Sequence, residues 1–382
     1  MKYTVRVALA AAVVLSANAG ASDLLDARTA AIGGAGVAAG NHLSAPIHNP
    51  ALVATYGAED DFAIAFPAFA LSLQDEADLL DGIDTFQEAH EQLKAGNPDP
   101  NLPQDWADSL IALDGQKANL KGAVGLFVAL PNKYLSSNFF MAGQLNAYTR
   151  ASVDENDITQ LDPTNPVVNS YGEVFATAKT DIGIAFAKGI QLADHRIAFG
   201  FSPKFQQLHA YNYLVTIDNF DSNNYKNDEN SVEDSFFNYD LGMIYEYGEH
   251  WRVALAGKDM ISRNVISADH GFGGFEYKVE RMTTLGTAYD HGRVLITADL
   301  DLESRKDIFG QEEKYLRTGV EWQAFRKAAI RAGYAHDLKD THKDRFTLGL
   351  GINIHGPAYL DLVTSYDLDE RYGAGIVMSA WF

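Results

Sequence analysis

The sequence predicts an all-β protein: a transmembrane antiparallel β-barrel of about fourteen strands, with an N-terminal plug and a short helical insert after the first strand. Three observations carry this expectation. Segments in which apolar and polar residues alternate recur along the chain, the pattern of strands with one face in an apolar medium. The connections between them alternate between tight and long. A basic, then apolar, then small-residue order opens the chain, and an alternating strand closes it.

At the start, Lys2 and Arg6 precede the uncharged apolar run 7–15, followed by Ala17-Asn18-Ala19 and Ala19-Gly20-Ala21. That order is a secretory signal peptide, so residues 1–21 are expected to stand outside the fold. No later segment reaches the roughly 18 continuous apolar residues of a transmembrane helix. Mean hydropathy is −0.16, a value shared by soluble exported proteins and by barrels with a polar lumen.

Residues 22–58 form the expected plug. Gly33, Gly34 and Gly36 lie in a run of small residues, with Asn49 and Pro50 downstream. Such a segment cannot build a conventional core, but it lets backbone approach backbone in a confined space. No Lys-Ser/Thr follows the glycines, which excludes a phosphate loop.

The barrel is expected over 59–382. Its first strand, 60–73, changes apolar phase at Pro67, from Phe62, Ile64 and Phe66 to Phe69, Leu71 and Leu73. A second proline, Pro203, interrupts the strand 195–213. Proline removes a ladder donor, so each position predicts a bulge or a lateral opening. Between the first two strands lies the insert 75–119. Leu79, Leu80, Ile83, Phe86, Ala89 and Leu93 recur at helical spacing over 75–95. A breaker at 97–103 follows, then a second short helix through Trp106, Leu110 and Leu113, the pair reading as a packed lid over the barrel mouth ahead of the alternative of a mobile gate.

Further strands read at 120–130, 138–150, 177–190, 235–247, 250–258, 279–289, 294–302, 316–322, 328–334, 346–354, 358–366 and 372–382. Every second connection is tight, as at Gly248-Glu249, Asp290-His291-Gly292 and His355-Gly356-Pro357. Short periplasmic turns and long outer loops give this rhythm. In the last strand Phe382, Ala380, Met378, Ile376, Ala374 and Tyr372 make one apolar face.

With the apolar faces toward lipid, the lumen holds Arg196, Lys204, Asp240, Glu246, Arg252, Asp299, Asp301, Arg317, Glu321, Arg331 and Asp361. Mixed signs in a confined space predict an ion-pair network that anchors the plug. The arginines also suit a substrate carboxylate.

Composition narrows the function. A net charge of −21 argues against nucleic-acid binding. Without cysteine there are no disulfides, thiol catalysis or cysteine metal sites. The histidines show no His-Glu-x-x-His spacing, and no Gly-x-Ser-x-Gly elbow is present. The acidic stretch 218–234 lacks the order of a calcium loop. No enzyme activity, metal or cofactor is therefore expected. The expected partners are outer-membrane lipid and lipopolysaccharide, with either a hydrophobic ligand or conjugation and surface proteins.

The run Gly33-Gly34-Ala-Gly36-Val-Ala with Asn49-Pro50-Ala51 resembles the N-terminal hatch of the FadL-type outer-membrane family. Within it, the helical insert resembles the bacterial outer-membrane proteins called conjugal transfer protein TraF-like. That name is shared with a thioredoxin-like periplasmic protein, which this cysteine-free chain does not resemble. The resemblance implies a fourteen-stranded barrel with a folded plug. It also implies passage of hydrophobic molecules through a kinked strand open to the membrane, with Pro67 and Pro203 as candidate positions. The TraF-like name implies instead a role in conjugative transfer or surface assembly, with no transported ligand.

Overall fold

The structure is a computed structural model. It describes residues 25–57, 61–75, 78–221, 228–270, 274–306, 310–368 and 372–382. The expected signal peptide, the start of the expected plug at 22–24 and its last residue, 58, lie outside the described residues, as does 222–227 within the acidic stretch.

Fourteen strands close into one barrel: β1 (Ala63–Asp75), β2 (Lys117–Leu130), β3 (Ser136–Ser152), β4 (Tyr171–Leu192), β5 (His195–Thr216), β6 (Ser231–Tyr247), β7 (Trp251–Lys258), β8 (Met282–His291), β9 (Val294–Asp301), β10 (Tyr315–Phe325), β11 (Ala328–Asp337), β12 (Arg345–His355), β13 (Ala358–Asp367) and β14 (Tyr372–Trp381). Each pairs antiparallel with its neighbours, and β1 closes the cylinder against β14. Closure removes both edges, so every wall backbone group can bond within the protein, as hydrocarbon surroundings demand.

Alternation sets which way each strand faces. On β12, Phe346, Leu348, Leu350 and Ile352 are exposed outward, while Thr347 is buried toward the lumen and the inward Gly349 and Gly351 face plug and wall side chains. Outward Phe199, Leu241, Ile296 and Met378 extend this apolar band around the barrel. Strands β4 and β5 have 22 residues each, about twice what a membrane-spanning strand needs. Their excess rises on the long-loop side as a wall.

That wall carries the lid. Helices Leu79–Lys94 and Leu102–Ile111 pack Leu79, Ile83, Phe86, Trp106 and Leu110 against Val174, Tyr213, Ile217 and Phe220. Trp106 Nε1 donates to His90 Nδ1 at 3.2 Å. Burial pushes the His90 imidazole down toward its neutral form, which can accept that bond. A hairpin, Arg263–Ile266 with Glu276–Val279, covers the mouth beside it, seating Val265, Tyr277 and Val279 on Leu208 and Ala210.

Several boundaries differ from expectation. The first lid helix begins at Leu79 rather than 75, because the Asp75 carboxylate accepts from Leu79 N at 2.8 Å and ends the strand there. The second starts inside the expected breaker, with Pro103 in its first turn, where a missing N–H is harmless. The expected strand 279–289 is divided: Val279 belongs to the hairpin and β8 begins at Met282.

The two prolines behave differently. Across Phe66–Pro67 the register of β1 shifts by one residue against both β14 and β2, a true bulge. Both residues consequently face outward, and Phe66 is 61 % exposed. At Pro203 the register with β4 is the same before and after the interruption, and pairing with β6 continues through it. Pro203 removes ladder bonds without inserting a residue, so it makes no bulge.

Candidate functional site in the plugged lumen

The plug enters the barrel as three short turns: Ala27–Ala30, Ala45–His48 and the 3-10 turn Pro50–Ala54. Gly33 and Gly34 end the first of these with φ of 76° and 84°, a left-handed conformation that glycine adopts without a steric penalty. Inside the plug, Thr29 Oγ1 lies 2.8 Å from Asp26 Oδ2 and 2.6 Å from His48 Nε2. Asp26 Oδ2 faces that same Nε2 at 3.4 Å. All three groups converge on one point rather than forming a relay, so the cluster braces the plug. Gly36 packs against the His48 ring, where a Cβ would collide.

Burial pushes the Asp26 carboxyl up. The hydrogen bond and charge at His48, with Thr29 and Arg28, outweigh it and hold the group well below the usual carboxylate range. A depressed folded pKa stabilises above the unfolded value of about 3.9, and the contribution fades as pH falls through the lower folded value. The part of plug protection from protease that Asp26 contributes is therefore expected to be flat between neutrality and pH of about 4. Asp26→Asn is expected to weaken it across that range, with the two proteins converging only in strong acid.

The wall meets the plug backbone through glycines. A Cβ at Gly333 or Gly319 would lie within 3.0 Å of Ile32 or Gly33 backbone atoms. One at Gly200 or Gly242 would strike Ala51 or Asn49, and one at Gly349 would strike Ala31. These lumenal glycines form a girdle against which the plug main chain lies flat. Hydrogen bonds fix its height: Val37 N donates to Asp299 Oδ2 at 2.8 Å, and Gly33 N to Thr347 Oγ1 at 3.0 Å. The Asn49 amide donates to Val37 O at 3.1 Å, and its oxygen accepts from Ala51 N at 3.0 Å. Pro50 opens the following turn.

Two Arg–Glu–Arg brackets clamp this seat. Glu246 accepts from Arg196 at 2.7 Å and from Arg252 at 2.9 Å. Those arginines also donate to plug carbonyls, Arg196 to Ala54 and Arg252 to Ala38. Across the barrel, Glu321 accepts from Arg331 at 2.7 Å and from the plug's own Arg28 at 2.9 Å. Arg331 also reaches Asp361 at 2.5 Å, and Arg28 donates to Ala39 O. Arg317 pairs with Asp301 at 2.7 Å.

Higher in the lumen, Lys204 meets Asp240 at 2.8 Å and Asp259 at 2.6 Å. Lys179 and Asp181 join them, and Lys258 ties Asp240 to plug Pro46 O. Burial pushes Asp259 up, but Lys179 and Lys204 hold its carboxyl well below the usual range.

Ten of the eleven lumenal charges named from sequence thus lie in four groups around the plug, and the eleventh, Asp299, accepts from the plug backbone at Val37 N. The sequence reading missed Asp26, Arg28, His48, Lys179, Asp181, Lys258 and Asp259, as well as the glycine girdle. Strand parity carried a signal for some: Lys179 and Asp181 share a face of β4, and Lys258 follows Arg252 on the inward face of β7. For the plug residues no periodicity exists to read.

Among the described residues, one sector of the seat carries no charged bracket. Inward of the β1 bulge, Ala63, Ala65, Ala68 and Ala70 meet Ala123, Phe127 and Ala129 of β2, Phe140 and Ala142 of β3, and Val377 of β14. Plug residues Leu25, Ala27, Ala30 and Leu43 pack on them. Below the plug a polar cavity of about 530 Å³ opens on the short-turn rim, lined by Arg28, Arg331, Asp361, Tyr359 and Trp381 among others.

The chain is similar in structure to the toluene transporter TbuX of Ralstonia pickettii, at a TM-score of 0.58 and 11 % identity, covering 93 % of this chain and 97 % of that one. It is also similar to the Pseudomonas putida toluene transporter TodX, at 0.51 and 10 % identity over 96 % and 98 % of the two chains. A Pseudomonas aeruginosa FadL homologue matches at 0.50 and 12 % over 97 % and 99 %. At these identities the likeness is one of fold. Among curated proteins, none matches the sequence. The family described as "F plasmid transfer operon, TraF, protein" matches residues 46–301, more than half of the chain. With its plugged fourteen-stranded barrel, the chain belongs to that TraF family.

Proposed function

We propose that the protein is an outer-membrane channel for hydrophobic small molecules, which pass between the membrane and the lumen at the β1 bulge. The observation that carries this reading is the coincidence of the bulge with the uncharged, alanine-lined sector of the seat. Elsewhere charged brackets would oppose an apolar solute; here it meets Ala65, Ala68, Phe127 and Leu43. The solved barrels of similar fold named as toluene transporters are consistent with such a solute.

A second reading has its own support. The family match and the closely packed lid favour a barrel that serves conjugative transfer or surface assembly, with the lid as the partner surface and no transported ligand.

Binding of a fluorescent long-chain fatty acid to the detergent-purified barrel, with toluene as competitor, separates the two. Saturable binding that weakens in Ala68→Ile and Asn49→Ala supports the channel. Binding no greater than to a porin of similar size removes it. In that case, loss of conjugative transfer on deleting 79–111, with the barrel still folded, would carry the second reading.

A further inference from the structure

We infer that His250 and His291 form a binding site for a divalent transition-metal ion at the short-turn rim of the barrel. The two histidines are 41 residues apart in sequence, so no motif announces them. Strand pairing brings them together. Trp251 of β7 faces Tyr289 of β8, and just beyond that pair Asp290 N donates to His250 O at 2.9 Å. Each histidine sits beside its own tight turn, at Gly248 and at Gly292.

The geometry at the nitrogens is that of a ligand pair. His250 Nδ1 lies 2.9 Å from the Asp290 carbonyl oxygen. A carbonyl only accepts, so Nδ1 carries the proton and Nε2 presents a lone pair. That second contact is the one that orients a metal-binding histidine and fixes its tautomer. The Nε2 in turn lies 3.3 Å from His291 Nδ1. Two nitrogens bound to zinc at about 2.05 Å with a tetrahedral angle are themselves about 3.3 Å apart. The site is therefore spaced for a shared ion before any ion arrives.

Without metal, His291 Nδ1–H donates to His250 Nε2. To bind, His291 shifts its proton to Nε2, so both facing lone pairs are free and the neutral pair loses no net proton. Both rings stand at the surface beside Tyr289, and the His250 and His291 rings cross at 82°. Small ring rotations then suffice to aim both lone pairs at one point. Among the described residues no group of three or more His, Cys, Asp or Glu converges on a metal position. Water would complete the coordination, and binding should be reversible rather than structural. The ion would bridge the hairpins of β6–β7 and β8–β9, two of which, β7 and β9, carry the plug contacts Arg252 and Asp299.

The test is calorimetric titration of Zn²⁺ into the full-length barrel in detergent, with any affinity tag removed. Cu²⁺ electron paramagnetic resonance is recorded in parallel. The expected result is one equivalent of Zn²⁺ bound, with affinity falling at least tenfold in His250→Ala and in His291→Ala and unchanged in His355→Ala. The Cu²⁺ spectrum should show nitrogen coupling from two imidazoles, reduced to one in either variant. Heat-modifiable migration reports that each variant is folded. No stoichiometric binding, or binding indifferent to both substitutions, would overturn the site and leave the two histidines as a hydrogen-bonded pair only.

Discussion

Gly333→Val is expected to unseat the plug while leaving the barrel closed. Valine suits a strand, so β11 itself should accept it. The added side chain, however, points at Ile32 and Gly33, where even a Cβ would overlap the backbone. A side chain can rotate away from such overlap; a main chain pinned by Thr347 and Asp299 on either side cannot. Overpacking of this kind costs about 1–3 kcal/mol where neighbours can shift, and a backbone contact belongs at or above the top of that range. Residues 25–57 should become accessible to protease, and ion conductance in planar bilayers should rise, while heat-modifiable migration persists. Ala332→Val, one residue away and facing outward, is the control and should change neither readout. A plug that stays protected in Gly333→Val would mean that the glycine girdle is not what sets its position.

Glu321→Gln is expected to destabilise the plugged barrel by about 1.5–3 kcal/mol, the usual cost of losing charge-assisted hydrogen bonds at half-buried groups. Volume is conserved, so packing is not the cause. Glu321 neutralises two guanidinium groups at once, Arg28 of the plug and Arg331 of the wall. Arg331 keeps Asp361; Arg28 keeps the Ala39 carbonyl and, without a direct ion pair, the charges of Asp26 and Asp361. Asp361→Asn should cost less, because Arg331 would still hold Glu321. Adding Arg28→Met to Glu321→Gln removes the stranded cation and should recover part of the loss, a coupling readable from a double-mutant cycle. The measurement is the temperature at which the folded, fast-migrating form disappears in detergent electrophoresis. Equal losses for Glu321→Gln and Asp361→Asn, with no recovery in the double variant, would show that the bracket does not carry the plug.

Both predictions depend on features that differ in how legible they were. The barrel was readable because lipid on one side and a polar lumen on the other impose a two-residue period on every strand. That period placed fourteen strands and assigned Arg196, Glu246, Arg252, Glu321 and Arg331 to one side of the wall. The phase slip at Pro67 was readable for the same reason: an inserted residue shows as a break in alternation, and the bulge lies there. Pro203 looked alike in sequence, but a proline that merely withholds an N–H leaves the phase intact, and no bulge formed.

The plug was only half legible. Its glycines announced close backbone approach, but not what they approach, because a segment without periodicity gives no facing. The partner glycines 200, 242, 319, 333 and 349 are scattered over five strands, and only closure of the cylinder lines them up. The same holds for Arg28 with Glu321, 293 residues apart, and for His250 with His291. The sequence by itself determined the kind of wall, the number of strands and many of the charges on its lumenal face, since these follow from local alternation against two solvents. Which charges pair, where the plug rests and which sector is left apolar were decided by the tertiary structure, because they depend on distances across a lumen that exists only once β1 has met β14.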